Sequence, residues 1–296
     1  MELRQLRYFL AIARHRSFTR AAEELLIAQP GLSQQIAGLE RELGVRLFDR
    51  SNRHVTTTDA GRTLAIRAER ILADAAAATE EMSAYAGGLR GRVVVGTYQS
   101  FSESMLPKLL GRFHARHPGI EIALREGMAD DLLGGLRSGA IDTFIGDLSD
   151  TEALASGEFA HVPMYEDELA IAVAGAHRFA RRAALAFAEL RDEPFVIFRP
   201  GSSMTARLYA LARANGFAPR VAFESVDSLT VRALVAEGLG VALFPRALGN
   251  TPGPNVALVS VAPEPVRRHI SLFTRHTPYG RAAETFFAFL RDDVRA

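Results

Sequence analysis

The chain reads as an α/β protein in three parts: a small helical module at the N-terminus, one long helix, and two α/β units. Three observations predict this. Apolar residues in the first 50 positions recur at helical spacing in short segments, and residues 59 to 85 lack Pro while being rich in Ala, Glu and Arg, which favours an unbroken helix. Beyond Gly91, short apolar runs alternate with amphipathic stretches, as in parallel sheets covered by helices on both faces. A length of 296 residues exceeds what one small module needs, so several domains are expected.

The first helix, about residues 4 to 15, places Leu3, Leu6, Leu10 and Ala13 on one stripe with Phe9 beside it. A short second helix starts after Ser17 as N-cap and turns Phe18, Ala21, Ala22 and Leu25 inward. Ile27 and Ala28 leave room only for a tight corner. In the third helix Leu32, Ile36, Leu39 and Leu43 are spaced four, three and four apart, which lines them along the inward face, while Gln29, Ser33, Gln34 and Ala37 face out. Pro30 suits the first turn, where a missing N–H costs nothing, and Gly44 suits the position past the last turn. The outward polar face either solvates a helical hairpin or enters a DNA major groove by its N-terminal half, where Gln and Ser reach base edges. Arg50 and Arg53 then flank Ser51-Asn52 ahead of β-branched Val55-Thr56-Thr57, a small hairpin with its turn at Asn52. Arg53 and His54 at its tip are placed for phosphate or the minor groove.

Three stretches carry a resemblance. SFTRAAEEL at 17 to 25, AQPGLSQQIAGLERELGVRLFDR at 28 to 50 and HVTTTDAG at 54 to 61 resemble the winged helix-turn-helix of LysR-type transcriptional regulators. Thr57 departs from the Leu usual there, a change that touches wing packing. The resemblance implies binding of double-stranded DNA through Ser17, Thr19, Gln29, Pro30, Ser33, Gln34, Arg50 and Arg53, with RNA polymerase as a further partner.

Composition bounds the rest. A net charge of +1 is too small for bulk attraction to nucleic acid, so DNA contact must rest on local placement. Residues 1 to 58 carry nine Arg against six Asp and Glu, a local excess of +3. The absence of Cys excludes disulfides, Cys-based zinc sites and a Cys nucleophile. No apolar run approaches membrane-spanning length and the start is charged, so a cytoplasmic protein without a membrane partner is expected.

Within residues 59 to 85, Leu64, Ala68, Ile71, Ala75, Ala78, Met82 and Tyr85 follow four-three spacing, a 3.5-residue repeat that forms a narrow seam for another helix. A helix packed within its own chain is the alternative; the narrow stripe argues against it. The family resemblance implies that this helix dimerises, giving a homodimer or dimer of dimers. Expected domains are 1–58 for DNA binding, 59–88 as linker and dimerisation helix, and 89–296 as an effector-binding domain.

In that last part, strands are expected at 93–95, 120–124, 141–145, 169–173, 195–198, 221–223, 241–244 and 270–274. Helices are expected at 105–117, 130–138, 202–214, 227–237 and 280–291. The PxLLxxFxxxHP pattern at 107–118, GAID at 139–142 and VAEGLGVALFP at 235–245 resemble the effector-binding part of LysR-type regulators, itself similar to type 2 periplasmic binding proteins. This implies lobe I at about 91–162 and 267–296, and lobe II at about 163–266. Ligands of open sheets collect at the carboxyl ends of strands and at helix N-termini. That rule selects Thr97, Ser100 and Ser102 after the first strand, then Arg199, Ser202, Ser203 and Met204, then Ser225, Asp227 and Ser228. Any one of these Ser or Asp residues could simply cap its helix; as a set facing one cleft they favour binding. Met128 stands where many family members place Ser or Thr, and Asp147 adds an acid, so an amino acid or hydroxy acid fits better than a dicarboxylate.

An enzyme is not expected. Ser202 and Ser203 lack the GxSxG context, no Gly-rich phosphate loop appears, and His114 and His117 have no nearby third ligand. The remaining competitor is an architectural DNA-binding protein whose α/β region only oligomerises. No cofactor and no metal are expected.

Overall fold

A computed structural model describes residues 1–49, 55–85, 90–102, 104–148, 152–249, 251–276 and 280–295. Three helices open the chain: α1 (Leu3–His15), α2 (Phe18–Glu24) and α3 (Gln29–Leu43). Their ends are marked as the sequence predicts. Ser17 Oγ accepts a bond from Arg20 N at 3.3 Å as the N-cap of α2, Pro30 lies in the first turn of α3, and Gly44 closes it at φ 69° in the left-handed region. The three helices share a core in which Phe9, Ile12, Leu32, Ile36 and Leu39 surround Phe48, whose ring centroid is 5.2 Å from that of Phe9. Leu3 and Leu43, expected on the buried stripes, are 43% and 38% exposed because each occupies the terminal residue of its helix.

Strands β1 (Phe48–Asp49) and β2 (Thr56–Thr57) form the antiparallel base of the wing. Glu40 of α3 anchors it, its Oε1 accepting from Leu47 N at 2.7 Å and Phe48 N at 3.3 Å. The hairpin tip, with Arg50, Arg53 and His54, lies outside the described residues.

Helix α4 (Asp59–Tyr85) follows as composition predicts. A Cβ at Gly61 would stand 2.2 Å from the Leu47 carbonyl oxygen, so only Gly lets α4 approach the wing this closely. The 3.5-residue seam is divided. Ala68 is buried in the N-terminal core and Leu64 and Ile71 pack against it, because α1 lies along this half of α4. Packing within one chain, which the narrow stripe argued against, is therefore what the first half of the seam does. Ala75 is half-buried, Ala78 is exposed and Met82 is 62% exposed; the Tyr85 side chain is outside the described set.

Lobe I begins with β3 (Gly91–Thr97), α5 (Gln99–Ser102), α6 (Leu106–Arg116), β4 (Ile120–Glu126), α7 (Ala129–Ser138), β5 (Thr143–Gly146) and α8 (Glu152–Ala155). The chain crosses on the 15-residue β6 (Ala160–Ala174). There follow β7 (Ala184–Ala186), β8 (Pro194–Phe198), α9 (Ser203–Ala214), β9 (Arg220–Ser225), α10 (Ser228–Ala236), β10 (Ala242–Pro245), α11 (Arg246–Gly249) and β11 (Val256–Ala262). It returns on β12 (Val266–Thr274) and ends in α12 (Gly280–Arg295). The main sheet runs β4-β3-β5-β12-β6-β11-β7, with β10 also on β6, while β8 and β9 pair separately. β6 and β12 pair antiparallel and serve both lobes: Leu169, Ile171 and Val173 enter the lobe II core, whereas Ile270 and Leu272 enter the lobe I core. β3 runs parallel to β4 and β5, and β8 parallel to β9, so the carboxyl ends of both sets open on one cleft.

Candidate effector cavity and DNA-binding surface

At the N-terminal module, the outward stripe of α3 is where spacing put it. Gln29, Pro30 and Gln34 are exposed and Ser33 half-buried, at the end of the helix that carries unpaired N–H groups. Thr19 is exposed at the start of α2, while Ser17 spends its hydroxyl on the cap. Behind them Glu24 bonds His15 and lies 3.2 Å from Arg14; the bond from His15, then the Arg14 charge, hold its carboxyl below the usual range against the opposing effect of burial.

A cavity of about 260 Å³ lies between the lobes. Lobe I supplies Tyr98, Gln99 and Ser100 from the end of β3, and Glu126, Gly127, Met128 and Ala129 from the joint between β4 and α7. Lobe II supplies Phe198, Arg199, Gly201, Ser202, Ser203 and Met204 from the joint between β8 and α9, with Val226 and Ser228 beside them. Arg268 of β12 completes it.

Local chemistry shapes these joints. Ser202 Oγ accepts from Thr205 N at 3.1 Å and Thr205 Oγ1 donates to Phe198 O at 2.6 Å, which fixes the start of α9. The capping account of Ser202 thus holds alongside its place in the cavity, which Ser203 and Met204 in the first turn of α9 also line. Asp227 caps α10, its Oδ2 accepting from Thr230 N at 2.7 Å, and its Oδ1 accepts from Gln99 Nε2 of lobe I at 3.0 Å. The Thr230 hydroxyl, chiefly, holds its carboxyl below the usual range. Arg199 Nε meets the Met128 sulfur at 3.1 Å, a second contact from lobe to lobe.

Of the sequence-selected residues, Ser100, Met128, Arg199, Ser202, Ser203, Met204 and Ser228 are brought together. Three are not. Thr97 is fully buried and its hydroxyl donates to Ile145 O at 3.1 Å, because it still lies within β3. Asp227 is spent on its own helix and on Gln99, and it does not line the cavity. Asp147 is 7% exposed and takes Arg207 Nη2 of α9 at 2.7 Å, so it ties the lobes together as half of an ion pair. Burial, with Asp147 second, pushes the neighbouring Tyr98 phenol well above its usual value. Among the described residues, the acid that lines the cavity is Glu126. The Ser102 side chain lies outside the described set.

Tyr98, Gln99, Glu126, Phe198, Val226 and Arg268 escaped the sequence reading. Glu126 and Phe198 end their strands, and the strand-end rule could have found them. Arg268 lies inside a strand, where only its period-2 phase with the apolar Val266 and Ile270 sets it apart from its neighbour Arg267.

Residues 3–62 match the bacterial regulatory helix-turn-helix protein, lysR family, and residues 86–295 match the LysR substrate binding domain. The hydrogen peroxide-inducible genes activator of Escherichia coli O6:H1 is 32% identical over 280 residues, covering 93% of this chain and 90% of that protein. The crystal structure of CbnR, a LysR family transcriptional regulator, superposes with a TM-score of 0.74 at 25% identity and 100% coverage of both chains. Full-length CbnR complexed with its target DNA gives a TM-score of 0.72 at 26% identity, covering 99% of each. These relatives are regulators rather than enzymes, and the chain belongs to the LysR family as a DNA-binding transcriptional regulator with an effector-binding domain.

Proposed function

We propose that the protein is a cytoplasmic homodimer or dimer of dimers that binds a specific operator and acts on RNA polymerase under control of a small effector carrying one anionic group. The domains are 1–58, 59–88 and 89–296 as the sequence divides them. The observation that carries the effector reading is the cavity, where the first residues of the 12-residue α9 and a buried guanidinium, that of Arg268, share one lining. Glu126 takes the role first given to Asp147: it repels a second acid and accepts an amine or hydroxyl. An amino acid or hydroxy acid therefore fits, bound between lobes whose arrangement it biases. With no Cys in the sequence, the thiolate that peroxide oxidises is missing, so the peroxide response named for a relative is not carried over.

Self-association is supported by two features. The far half of the α4 seam is open at Ala78 and Met82, and the strands β4 and β9 end their sheets with Leu124, Val221 and Phe223 at 46%, 40% and 40% exposure. Sedimentation of Met82→Glu should show looser dimers than the parent; an unchanged dimer constant moves the interface off α4. Calorimetry against amino acids, hydroxy acids and dicarboxylates tests the effector class. Tight binding of a dicarboxylate, undiminished by Ser202→Ala or Glu126→Gln, defeats both the charge argument and the site.

A further inference from the structure

Among the described residues two cations line the cavity, and they differ in how they are held. Arg199 is exposed at the rim, with its Nε on the Met128 sulfur. Arg268 has a side chain only 5% exposed. Its Nε and Nη2 both donate to Asp167 Oδ2, at 3.0 and 2.6 Å, and its Cζ lies 4.5 Å from the Phe101 ring centroid. Asp167 is fixed in turn, its Oδ1 accepting from Ala247 N at 3.2 Å. The two residues face each other across β12 and β6 in register.

We infer that Arg268, rather than Arg199, reads the anionic group of the effector, an inference that rests on the reading of this cavity as the effector site. A guanidinium carries five N–H donors in a rigid fork, and Asp167 occupies only one edge of it. Nη1 and the second hydrogen of Nη2 remain for a ligand that reaches the cavity wall. Because the rotamer is already locked by Asp167 and Phe101, an anion binding there orders no flexible side chain, unlike one binding to Arg199. Burial also removes the water that would screen the interaction. Asp167 already offsets the charge of Arg268, so the anion is held by directed N–H donors in a water-poor setting rather than by an excess of positive charge, and Glu126 opposes a second acid.

The position has a consequence for signalling. β6 and β12 feed both hydrophobic cores, so the Asp167–Arg268 pair sits where the lobes are joined. A ligand anion bonded at this joint senses the relative placement of the lobes directly, which gives it the differential affinity that a conformational response needs.

Fluorine NMR with trifluoroacetate as a monoanionic probe, and trifluoroacetamide as its neutral counterpart, tests the assignment on the full chain. Trifluoroacetate should bind the parent and Arg199→Ala with similar affinity, Arg268→Lys more weakly, and Arg268→Met at least roughly tenfold more weakly, while any binding of the amide stays unchanged. Since Arg268→Met strands a buried carboxylate, Arg268→Met/Asp167→Asn serves as the second variant, with circular dichroism to show that it folds; it should lose the anion equally. Loss in Arg199→Ala with retention in the Arg268 variants would move the anion to the rim, overturning this inference while leaving the cavity as the effector site. Failure of the parent to bind trifluoroacetate, or binding indifferent to both arginines, would overturn this inference and the anionic reading of the cavity together.

Discussion

The candidate DNA-binding surface and the candidate effector cavity are built by opposite routes. α3 holds its end signals, Pro30 and Gly44, its buried stripe and its outward polar stripe within residues 29–44, so each property follows from spacing along one helix. The cavity gathers side chains from separate stretches between Tyr98 and Arg268, contributed by two lobes. A surface on one element exposes whatever faces away from the core. Membership of a cavity depends further on which polar groups the surrounding fold has already claimed. Thr97 is spent on the Ile145 carbonyl and Asp147 on Arg207, and both are lost to the cavity for that reason.

The comparison implies that the two sites can be damaged separately. The largest effect is expected from Phe9→Ala, which empties a fully buried position against Phe48 and should cost the N-terminal core about 3 to 5 kcal/mol. Denaturation followed in parallel with operator binding should show that core unfolding early while the effector domain keeps its midpoint. A single transition, shifted as a whole, would show instead that α4 couples them, since it packs on both α1 and α12.

Asp147→Asn should act on the other side. It takes the Asp147 carboxylate from Arg207, and because the Arg207 side chain keeps 17% exposure and its bond to the Arg267 carbonyl, the loss should fall somewhat below the roughly 3 to 5 kcal/mol of a fully buried pair. The urea midpoint of the effector domain should drop and that of the N-terminal core should not. An unchanged midpoint would mean that the lobes are not tied together at this pair.

Gln34→Ala should be the mildest for stability and still specific in effect. It removes an exposed side chain, so both unfolding transitions stay in place, while discrimination between operator and random DNA falls by about 1 to 3 kcal/mol per half-site. Equal sequence preference in variant and parent would take Gln34 out of recognition and leave α3 as a scaffold for neighbouring contacts.

Most elements of the chain were legible because they repeat a simple pattern. The 27-residue α4 follows from a Pro-free composition, and the strands β3, β4 and β8 from short apolar runs bounded by turns. β7 was not legible: three residues, Ala184 to Ala186, carry no period, and they are a strand only because β11 lies parallel beside them. The 15-residue β6 was read as its apolar second half alone, since its first half alternates with exposed polar residues and gains its partner only when β12 returns from far along the chain.

The seam on α4 marks the boundary between the two kinds of knowledge. A 3.5-residue repeat states that a helix needs a partner along one stripe, and the sequence determined that much, together with the three-part order, the end signals of α3 and the family. Which partner meets which part of the stripe was decided only in three dimensions, where α1 covers Leu64, Ala68 and Ile71 and leaves Met82 open. The same holds for the cavity. Local spacing places a side chain on a face, but Arg268 and Glu126 join Ser202 only because two crossing strands fold distant segments together, and contacts of that range leave no period in the sequence to read.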